Sequence, residues 1–357
     1  MVNSELLDRV HLVCPACRQP GAEPGVIEIG EIYEQEGPFA IRGLLKCTRQ
    51  DCRAVYPIVD GVPILVRDPV GWWESQGAAV QAGVYPDDGL GDLFFALDRT
   101  ADSRKEDLQS VNCYLDVHHC RPDLSTPPDG LAELWDNYWQ AVTALIVPDA
   151  DPEGKSLDLG CSTGRFTFDM AETSQMAVGI DIRFDAVRHA VQLQRKGQTA
   201  FQRDTGGRRF ESVEIQREPA DNVIFMVADA LDPPFGPYAF DRVAALNLLD
   251  NVAVPTILLG QMDALLKKGG QMILASPYEW RPELTAPDQW LVDREMPSAE
   301  AVRAILKDCW GPGLGLNYEI VDEIDPLPWV LRRNDRHWTV FLAHLVRAVK
   351  REMAGGS

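Results

Sequence analysis

The sequence predicts an α/β protein with a mostly parallel sheet, preceded by a small β-rich module at the N-terminus. Two observations lead to this fold class. From residue 131 onward, strand-like apolar segments alternate with segments of helical periodicity, an order typical of a parallel sheet covered by helices on both faces. Residues 1–68 hold instead two cysteine pairs and short β-branched runs separated by turn residues. We therefore divide the chain into residues 1–68, a connecting region at 69–130 and an α/β domain at 131–350.

The composition excludes several classes of protein. The chain has 357 residues, and 54 acidic against 34 basic residues give it a net charge of −20. This balance argues against a broad nucleic-acid surface, because Lys and Arg contacts with phosphate supply most of that affinity. No apolar run approaches the roughly 18 residues of a membrane span, and the N-terminus lacks a basic stretch followed by an apolar core. We therefore expect a cytoplasmic protein without a membrane partner.

The cysteines of the first module are spaced as metal ligands. Cys14 and Cys17 are separated by two residues, and Cys47 and Cys52 by four. Two thiolate pairs on two turns form the usual ligand set of a tetrahedral structural zinc site. Four free thiols or two disulfides are the alternatives, and a cytosolic location disfavours the disulfides. We expect structural Zn²⁺ at these four residues.

The rest of the first module has the sequence pattern of β-strands. The segment VIEIGEIY alternates in character, and Asp60-Gly61 is a hairpin turn between two apolar β-branched runs. With CPAC and KCTRQDC, the segment YPIVDGVPILV resembles the Trm112-like zinc-ribbon family. The wider second cysteine pair departs from the family pattern. The resemblance implies a ribbon that stabilises or activates a methyltransferase, here within the same chain.

The connecting region is rich in Asp, Gly and Pro. The segment LGDLFFALDR has the pattern of a short amphipathic helix, and the adjacent Trp72 and Trp73 are expected to pack rather than to contact a ligand. We expect partial helix and no chemistry at 69–130. A substrate-facing cap is the alternative.

A second metal site is conceivable in the same region. Cys113 and Cys120 bracket His118 and His119, which are all possible zinc ligands. The spacing matches no common ligand pattern, so we prefer a polar loop with two small thiols.

The α/β domain opens with an amphipathic helix, LAELWDNYWQAVTALIV. Strands and helices then alternate through seven predicted strands, with an inserted hairpin at Gly206-Gly207 and an antiparallel end. In order, these elements are KSLDLG (strand), GRFTFDMAETS (helix), MAVGIDI (strand), FDAVRHAVQLQRKG (helix), NVIFMVAD (strand), FDRVAALNLL (strand), VPTILLGQMDALLKKGG (helix), QMILASP (strand), and the final strands NYEIVDEI and HWTVFLAHLVRAV.

Three acids end successive strands of this domain. Asp158 precedes a turn with Gly160 and Gly164, where small residues let a ligand approach the backbone and the helix N–H groups. An acid there disfavours a pyrophosphate and suits a cationic or amino-bearing ligand. Asp181 is placed to take ribose hydroxyls, and Asp229 to accept from an adenine amino group. All three lie at the carboxyl ends of strands, the usual ligand crevice of an open sheet.

These ordered motifs resemble the class I S-adenosylmethionine-dependent methyltransferases, which have a Rossmann-like fold. The resemblance covers residues 131–350 and implies S-adenosylmethionine as cofactor, although another nucleotide or none is the alternative. The cofactor contacts that it implies are Asp158, Gly160, Cys161 and Gly164 at the methionine end, Asp181 at the ribose, Ile182 beside the adenine, Asp229 and Ala230 at the adenine edge, and Asn247 and Leu248 near the methyl donor. Because the sulfonium is already activated, such an enzyme mainly aligns a nucleophile and excludes water.

The sequence indicates less about the acceptor molecule than about the cofactor. The fourth strand ends in NLLDN, not in the N/D-P-P-Y turn expected for methylation of exocyclic base amines. The segments SPYEWRPE and PDQWL, with Leu327–Arg333, resemble the mercaptohistidine N-methyltransferase domain of ovothiol-synthesis enzymes. This resemblance implies a small polar acceptor that carries an imidazole or a thiol. Tyr278 and Trp280 are the foremost candidates to contact it, followed by Arg281 and Glu283, unless the loop is only structural.

The leading hypothesis is therefore an N- or S-methyltransferase of small molecules with a zinc ribbon fused in cis. An RNA methyltransferase, acting on rRNA or tRNA, is an alternative that needs a local basic patch. Candidates for that patch are Arg208, Arg209, Arg332, Arg333 and Arg336. A protein methyltransferase and a non-catalytic cofactor-binding scaffold are further alternatives, and the intact series of three acids argues against the scaffold. The oligomeric state is open.

Overall fold

The computed structural model describes most of the chain. The described residues are 7, 9–19, 23–84, 101–120, 130–146, 154–207, 209–292, 295–307 and 316–351, with the backbone alone at 81–84, 101–109 and 131–132. The expected helix LGDLFFALDR and the candidate patch residue Arg208 lie outside them.

The first module is a four-stranded antiparallel sheet in the order β1-β2-β3-β4. Its strands are β1 (Ile27–Glu36), β2 (Phe39–Cys47), β3 (Val55–Val59) and β4 (Val62–Pro63). Asp60 and Gly61 join β3 to β4 with φ values of 50° and 79°. Positive φ at both residues is the geometry of a two-residue type I′ turn, which matches the twist of the flanking strands. The predicted hairpin is confirmed.

Among the described residues, three helices lie between the small sheet and the large one. They are α1 (Pro69–Val84), α2 (Ala101–His119) and α3 (Leu131–Ala144). Their buried side chains, among them Leu115, Tyr138 and Val142, belong to the same apolar cluster as the inward side chains of the large sheet. The helices are thus packed onto the sheet rather than extended away from it.

The large sheet has seven strands. They are β5 (Lys155–Leu159), β6 (Met176–Asp181), β9 (Val223–Val227), β10 (Phe240–Leu246), β11 (Leu266–Ser276), β12 (Tyr318–Asn334) and β13 (His337–Lys350), and β7 (Gln198–Gly206) and β8 (Arg209–Gln216) form a separate hairpin. The order is β12-β13-β11-β10-β5-β6-β9, with β13 antiparallel to both of its neighbours and the other six strands running in one direction. The predicted parallel sheet, its antiparallel end and the inserted hairpin are confirmed.

Four helices accompany the parallel strands: α4 (Arg165–Ala171), α5 (Phe184–Lys196), α6 (Pro255–Leu265) and α7 (Ser298–Leu306). The end of α6 differs from the prediction, which carried this helix through LLKKGG. Leu266 is extended, with φ −77° and ψ 133°, and pairs with Phe240, so this segment opens β11. Tertiary pairing of the strand overrides the helical propensity of the Leu and Lys residues.

The small sheet meets the large one at its edge strand, β9. Ile64 pairs with Val227 in parallel, and the N–H of Leu65 donates to the Val227 carbonyl at 2.8 Å. Because an edge strand presents unpaired backbone groups, this contact satisfies those at the carboxyl end of β9. Within the described residues, no helix has both the length and the apolar character that a membrane span requires.

Candidate functional site

A cavity of about 380 Å³ opens where β5, β6 and β10 end, and we call it the first cavity. It lies where the strand order reverses direction around β5, which is the general ligand crevice of open α/β sheets. Seven of the ten predicted cofactor residues line it: Asp158, Gly160, Cys161, Asp181, Ile182, Asn247 and Leu248. Gly164, Asp229 and Ala230 do not.

The turn after β5 requires glycine at two positions. Gly160 has φ 73°, and an added Cβ would come within 2.9 Å of the Leu248 side chain. Gly164 has φ 86°, and its Cβ would come within 2.6 Å of the Phe225 ring. Residues with a side chain adopt this left-handed backbone rarely, so both sites exclude them. Gly164 begins α4 from outside the cavity, so its role in the turn is structural.

Asp158 is the most electrostatically perturbed acid of the first cavity. Its carboxylate accepts a hydrogen bond from the Thr167 hydroxyl at 2.7 Å and is otherwise enclosed. Burial raises the pKa of Asp158 to about 7, and the Thr167 hydrogen bond offsets only part of that effect. A cationic ligand beside this carboxyl would favour its ionised form.

Asp181 is held by the backbone on both sides. One carboxylate oxygen accepts the N–H of Ser162 at 2.9 Å, and the other accepts the N–H of Arg183 at 2.9 Å. Burial raises the pKa of Asp181, while these two hydrogen bonds lower it. Each oxygen keeps a second lone pair, so the carboxylate can still accept from a diol. Ile182 follows it and stays 43% exposed at the cavity wall.

The predicted adenine-edge residues are placed differently. The carboxylate of Asp229 accepts the N–H of Leu231 at 2.8 Å, so it closes its own turn. Such local bonds are a common use of Asp after a strand. Asp229 and Ala230 therefore stand beside the first cavity rather than in its wall.

Several wall residues were missed by the sequence analysis. These are Ser110, Val111, Tyr114 and His118 from α2, Tyr138 and Trp139 from α3, and Trp329 from β12. Because four of these residues come from α2, the structure favours the alternative of a cap for this part of 69–130. Helical periodicity predicted α3, but periodicity alone does not say which residues of a helix face a distant crevice.

A second cavity of about 530 Å³ adjoins the first. The two share six wall residues, namely Ser110, Tyr114, Asn247, Asn251, Arg281 and Trp329. The second cavity is lined by charges of both signs: Asp204, Asp250, Glu279, Arg281 and Arg333. Asp250 accepts the N–H of Glu279 at 2.6 Å, and burial raises the pKa of its carboxyl. The first cavity, which is lined by Asp158 and Asp181, thus adjoins a second cavity with a polar, charged lining.

Tyr278 and Trp280, the foremost acceptor candidates, line neither cavity. Because Nε2 of His344 donates to Glu323 at 2.6 Å, its Nδ1 accepts from the Tyr278 hydroxyl at 2.8 Å. The Trp280 indole donates to Ser298 Oγ at 2.9 Å. Tyr278 has φ 55°, a left-handed turn in the chain after β11.

The same loop still reaches the second cavity through other residues. Arg281, a weaker candidate from the sequence, lines both cavities and donates to the side-chain oxygen of Asn251. Glu279 lines the second cavity, whereas Glu283 does not. Of the four predicted acceptor residues, Arg281 thus lines both cavities, whereas Tyr278, Trp280 and Glu283 line neither.

The four predicted metal ligands converge in the small sheet. The Sγ atoms of Cys14, Cys17, Cys47 and Cys52 all lie within 4.8 Å of one another. Two of the separations are 3.9 Å (Cys14–Cys52) and 3.8 Å (Cys17–Cys47). Tetrahedral zinc with Zn–S bonds of about 2.3 Å sets neighbouring sulfurs about 3.8 Å apart. The thiols are unpaired by disulfides, and their separations fit a zinc ion.

Across the described residues, this is the single cluster of His, Cys, Asp and Glu with metal-site spacing. The conceivable second site around His118 and His119 is not formed. His118 Nδ1 lies 2.8 Å from Thr163 Oγ1, and His119 donates from Nε2 to the Thr163 carbonyl at 3.0 Å. Burial lowers the pKa of both imidazoles, so both are neutral. They hold the turn after β5.

Comparison with known proteins agrees with this geometry. Residues 150–311 match the family model described as a methyltransferase domain. An O-methyltransferase of Penicillium expansum is 32% identical over 119 residues, which are 33% of this chain and 36% of that protein. The chain thus matches about a third of the length of this curated relative.

The solved structures that this chain matches have low sequence identity to it. A methyltransferase of Methanosarcina mazei is 18% identical with a TM-score of 0.39, over 57% of this chain and 95% of its own. A chain from the complex of the Haloferax volcanii Trm112 methyltransferase activator with a methyltransferase is 18% identical with a TM-score of 0.39, over 62% and 93% respectively. The N-methyltransferase NodS of Bradyrhizobium japonicum WM9 is 12% identical with a TM-score of 0.40, over 63% and 100%. At this level the matches carry no argument about substrate.

The strand order and the family match identify a Rossmann-like methyltransferase fold with a small antiparallel sheet at its N-terminus. They also support S-adenosylmethionine-dependent methyl transfer as the chemistry of residues 150–311.

Proposed function

We propose that this protein transfers the methyl group of S-adenosylmethionine to a nitrogen or sulfur atom of a small polar molecule. One observation carries the proposal: a cavity lined by an acid pair and a glycine turn adjoins a second, polar cavity, and the two share a wall. A methyl donor and its acceptor need such adjoining sites, because the reacting atoms must be aligned within van der Waals reach.

The first cavity would hold the cofactor, which when bound supplies a methyl group already activated on its sulfonium. Asp158 and the Gly160 turn would take the methionine end, where the ionised carboxylate suits an ammonium group. Asp181 would accept from the ribose hydroxyls, and Ile182 would lie along the adenine. The remaining predicted contacts are Cys161, Asn247 and Leu248, with Gly164, Asp229 and Ala230 acting through the turns that they form.

The second cavity would hold the acceptor. Its volume of about 530 Å³ lies in the range of small-molecule sites, roughly 300–1,000 Å³. Arg333 and Glu279, of opposite charge, are suited to orient a polar molecule rather than an apolar one. The resemblance to ovothiol-synthesis enzymes supports an acceptor with an imidazole or a thiol. A base is needed only if the accepting atom is protonated at the working pH.

RNA or protein is the alternative acceptor. The proposed basic patch is weaker than the sequence suggests, because Arg332 is buried and engages Asp335 and Asp116. With a net charge of −20, the remaining arginines offer little phosphate attraction. The ribbon would serve as a docking aid under this alternative.

We also propose that residues 1–68 form a zinc ribbon that stabilises the catalytic part in cis. Zn²⁺ would be bound by the four cysteines of the cluster. The ribbon contacts the end of β9 and the chain after it: Leu65 donates to the Val227 carbonyl at 2.8 Å, and Val13 donates to the Pro234 carbonyl at 3.0 Å. Arg67 adds an ion pair with Asp232 at 2.7 Å. Loss of the metal would therefore weaken the support of the edge strand.

The test separates acceptor binding from cofactor binding. Labelled S-adenosylmethionine is incubated with the protein and with the low-molecular-mass fraction of a cell extract. We expect Arg333→Ala to lower the rate of label transfer about tenfold while the Kd for S-adenosylmethionine stays unchanged, because Arg333 lines the second cavity and not the first. Arg336→Ala is the matched control, an exposed arginine that lines neither cavity. Equal rates for wild type and Arg333→Ala would contradict the acceptor assignment.

A further inference from the structure

We propose that Trp72 is a positioning residue for the adenosine half of the first cavity. This rests on the proposed function, because it takes S-adenosylmethionine as the ligand of that cavity. The sequence gives no hint of the role, since two adjacent tryptophans at the start of a helix are usually packing residues.

The contact that carries the proposal is a single hydrogen bond. Trp72 is only 7% exposed, and its indole N–H donates to the backbone carbonyl of Ile182 at 2.9 Å. Ile182 lines the first cavity next to Asp181. Trp72 itself does not line the cavity, so it acts through the backbone that it holds.

The held carbonyl belongs to a peptide unit that also orients Asp181. The C=O of Ile182 and the N–H of Arg183 lie in one rigid plane, because the peptide bond between them does not rotate freely. Trp72 binds the oxygen end of this plane, and the Asp181 carboxylate binds the N–H end at 2.9 Å. Removing the indole donor therefore frees the plane to turn and loosens the carboxylate proposed to bind the ribose.

The start of α1 fixes the indole in place. A carboxylate oxygen of Asp68 accepts the N–H of Gly71 at 3.1 Å, and the backbone carbonyl of Asp68 accepts the N–H of Trp72 at 3.1 Å. This is the arrangement of an N-capping Asp, which fixes where a helix begins. Trp73, the next residue, is 48% exposed and makes no such contact with the cavity wall.

The methionine half is supported from a different helix. His118 and His119 on α2 hold Thr163 in the turn after β5, as described above. The adenosine half and the methionine half of the cofactor site are therefore supported by different helices. A ligand that lacks the methionine half tests the adenosine half alone.

The test compares two ligands by calorimetry, S-adenosylmethionine and 5′-methylthioadenosine, which lacks the amino acid part. Trp72→Phe keeps an aromatic ring and removes the donor. We expect the Kd for both ligands to rise by the same factor, about three- to tenfold, the effect of one hydrogen bond. Trp73→Phe should leave both values unchanged. Hydrogen–deuterium exchange should rise in the peptide that contains Arg183 and not across the whole domain.

The possible failures are distinguishable. If the wild type binds neither ligand, the proposed function fails. If the wild type binds both and Trp72→Phe binds them equally well, the positioning role is wrong. Should Trp72→Phe be misfolded by circular dichroism, benzothienylalanine at position 72 replaces it, because that side chain has the shape of tryptophan without the N–H. Unchanged affinities in this variant would likewise overturn the proposal.

Discussion

Because the pKa of Asp158 is raised, we expect the affinity for the proposed cofactor to depend on pH. Burial raises this pKa to about 7. Against an ordinary value near 4, holding the carboxylate ionised costs roughly 4 kcal/mol before a cation arrives. Because the folded pKa lies above the unfolded one, the contribution of Asp158 to stability is present below pH about 4 and is lost as the pH rises through about 7.

Binding has the opposite pH dependence to stability. The cofactor ammonium favours the ionised carboxylate, so affinity should rise with pH while the ligand amine, with an ordinary pKa near 8, stays charged. With a pKa of about 7, the ionised fraction is about 3% at pH 5.5 and about half at pH 7.0. The Kd for S-adenosylmethionine should therefore fall about fifteenfold over this range.

Isothermal titration calorimetry at the two pH values, in buffers of different ionisation enthalpy, measures both the Kd and the protons released. We expect close to one proton to leave per ligand bound at pH 5.5. Asp158→Asn should abolish this release and flatten the pH dependence, leaving only the contribution of Asp181, whose pKa burial also raises. A Kd that stays constant from pH 5.5 to 7.0 in the wild type, with no proton release, would refute the assignment of Asp158.

Three further predictions concern the ribose contact, the cysteine cluster and the loop after β11. Asp181→Ala should raise the Kd for S-adenosylmethionine at least about tenfold, because it removes charge-assisted hydrogen bonds, and calorimetry measures it. Joint Cys14→Ser and Cys47→Ser substitution should lower the zinc content by elemental analysis and the Tm. Trp280→Phe should cost about 1 kcal/mol of unfolding free energy, because it loses the bond to Ser298, and should leave methyl transfer intact.

Each of these has a matched control and a contrary outcome. Asp185→Ala removes a nearby acid that pairs with Arg183 but does not itself line the first cavity, and an equal loss of affinity would make the effect of Asp181 nonspecific. Cys120 lies outside the cysteine cluster, so the Cys120→Ser variant should retain its zinc. If Trp280→Phe lowered the turnover and left the stability unchanged, Trp280 would be assigned to the acceptor site.

The features predicted well are those encoded over short stretches of chain. Continuous apolar runs such as Val223–Val227 are fully buried strands, and the Asp60-Gly61 turn has the backbone that its residue types favour. The end of α6 was misplaced because strand pairing at Leu266, which is tertiary, decides it. Element type is local information, and boundaries depend on partners distant in sequence.

The residues of the candidate cavity could be predicted where a sequence motif fixes both the place of a residue in the sheet and the direction of its strand. Asp158 and Asp181 end parallel strands, so the topology brings them together without further information. The choice between Tyr278 and Arg281 depends on which way a loop turns, and the positive φ at Tyr278 is not encoded by its residue type. The contribution of α2 was missed because its contact with the crevice spans a long separation in sequence.

Methyl transfer from S-adenosylmethionine to a small molecule can be tested with one labelling experiment. Purified protein, methyl-labelled S-adenosylmethionine and whole cell extract are combined, and the label is then separated by size before and after nuclease and protease treatment. We expect label in the low-molecular-mass fraction, in a product whose mass has grown by one methyl group. Label confined to nuclease- or protease-sensitive material would contradict it and would make RNA or protein the acceptor.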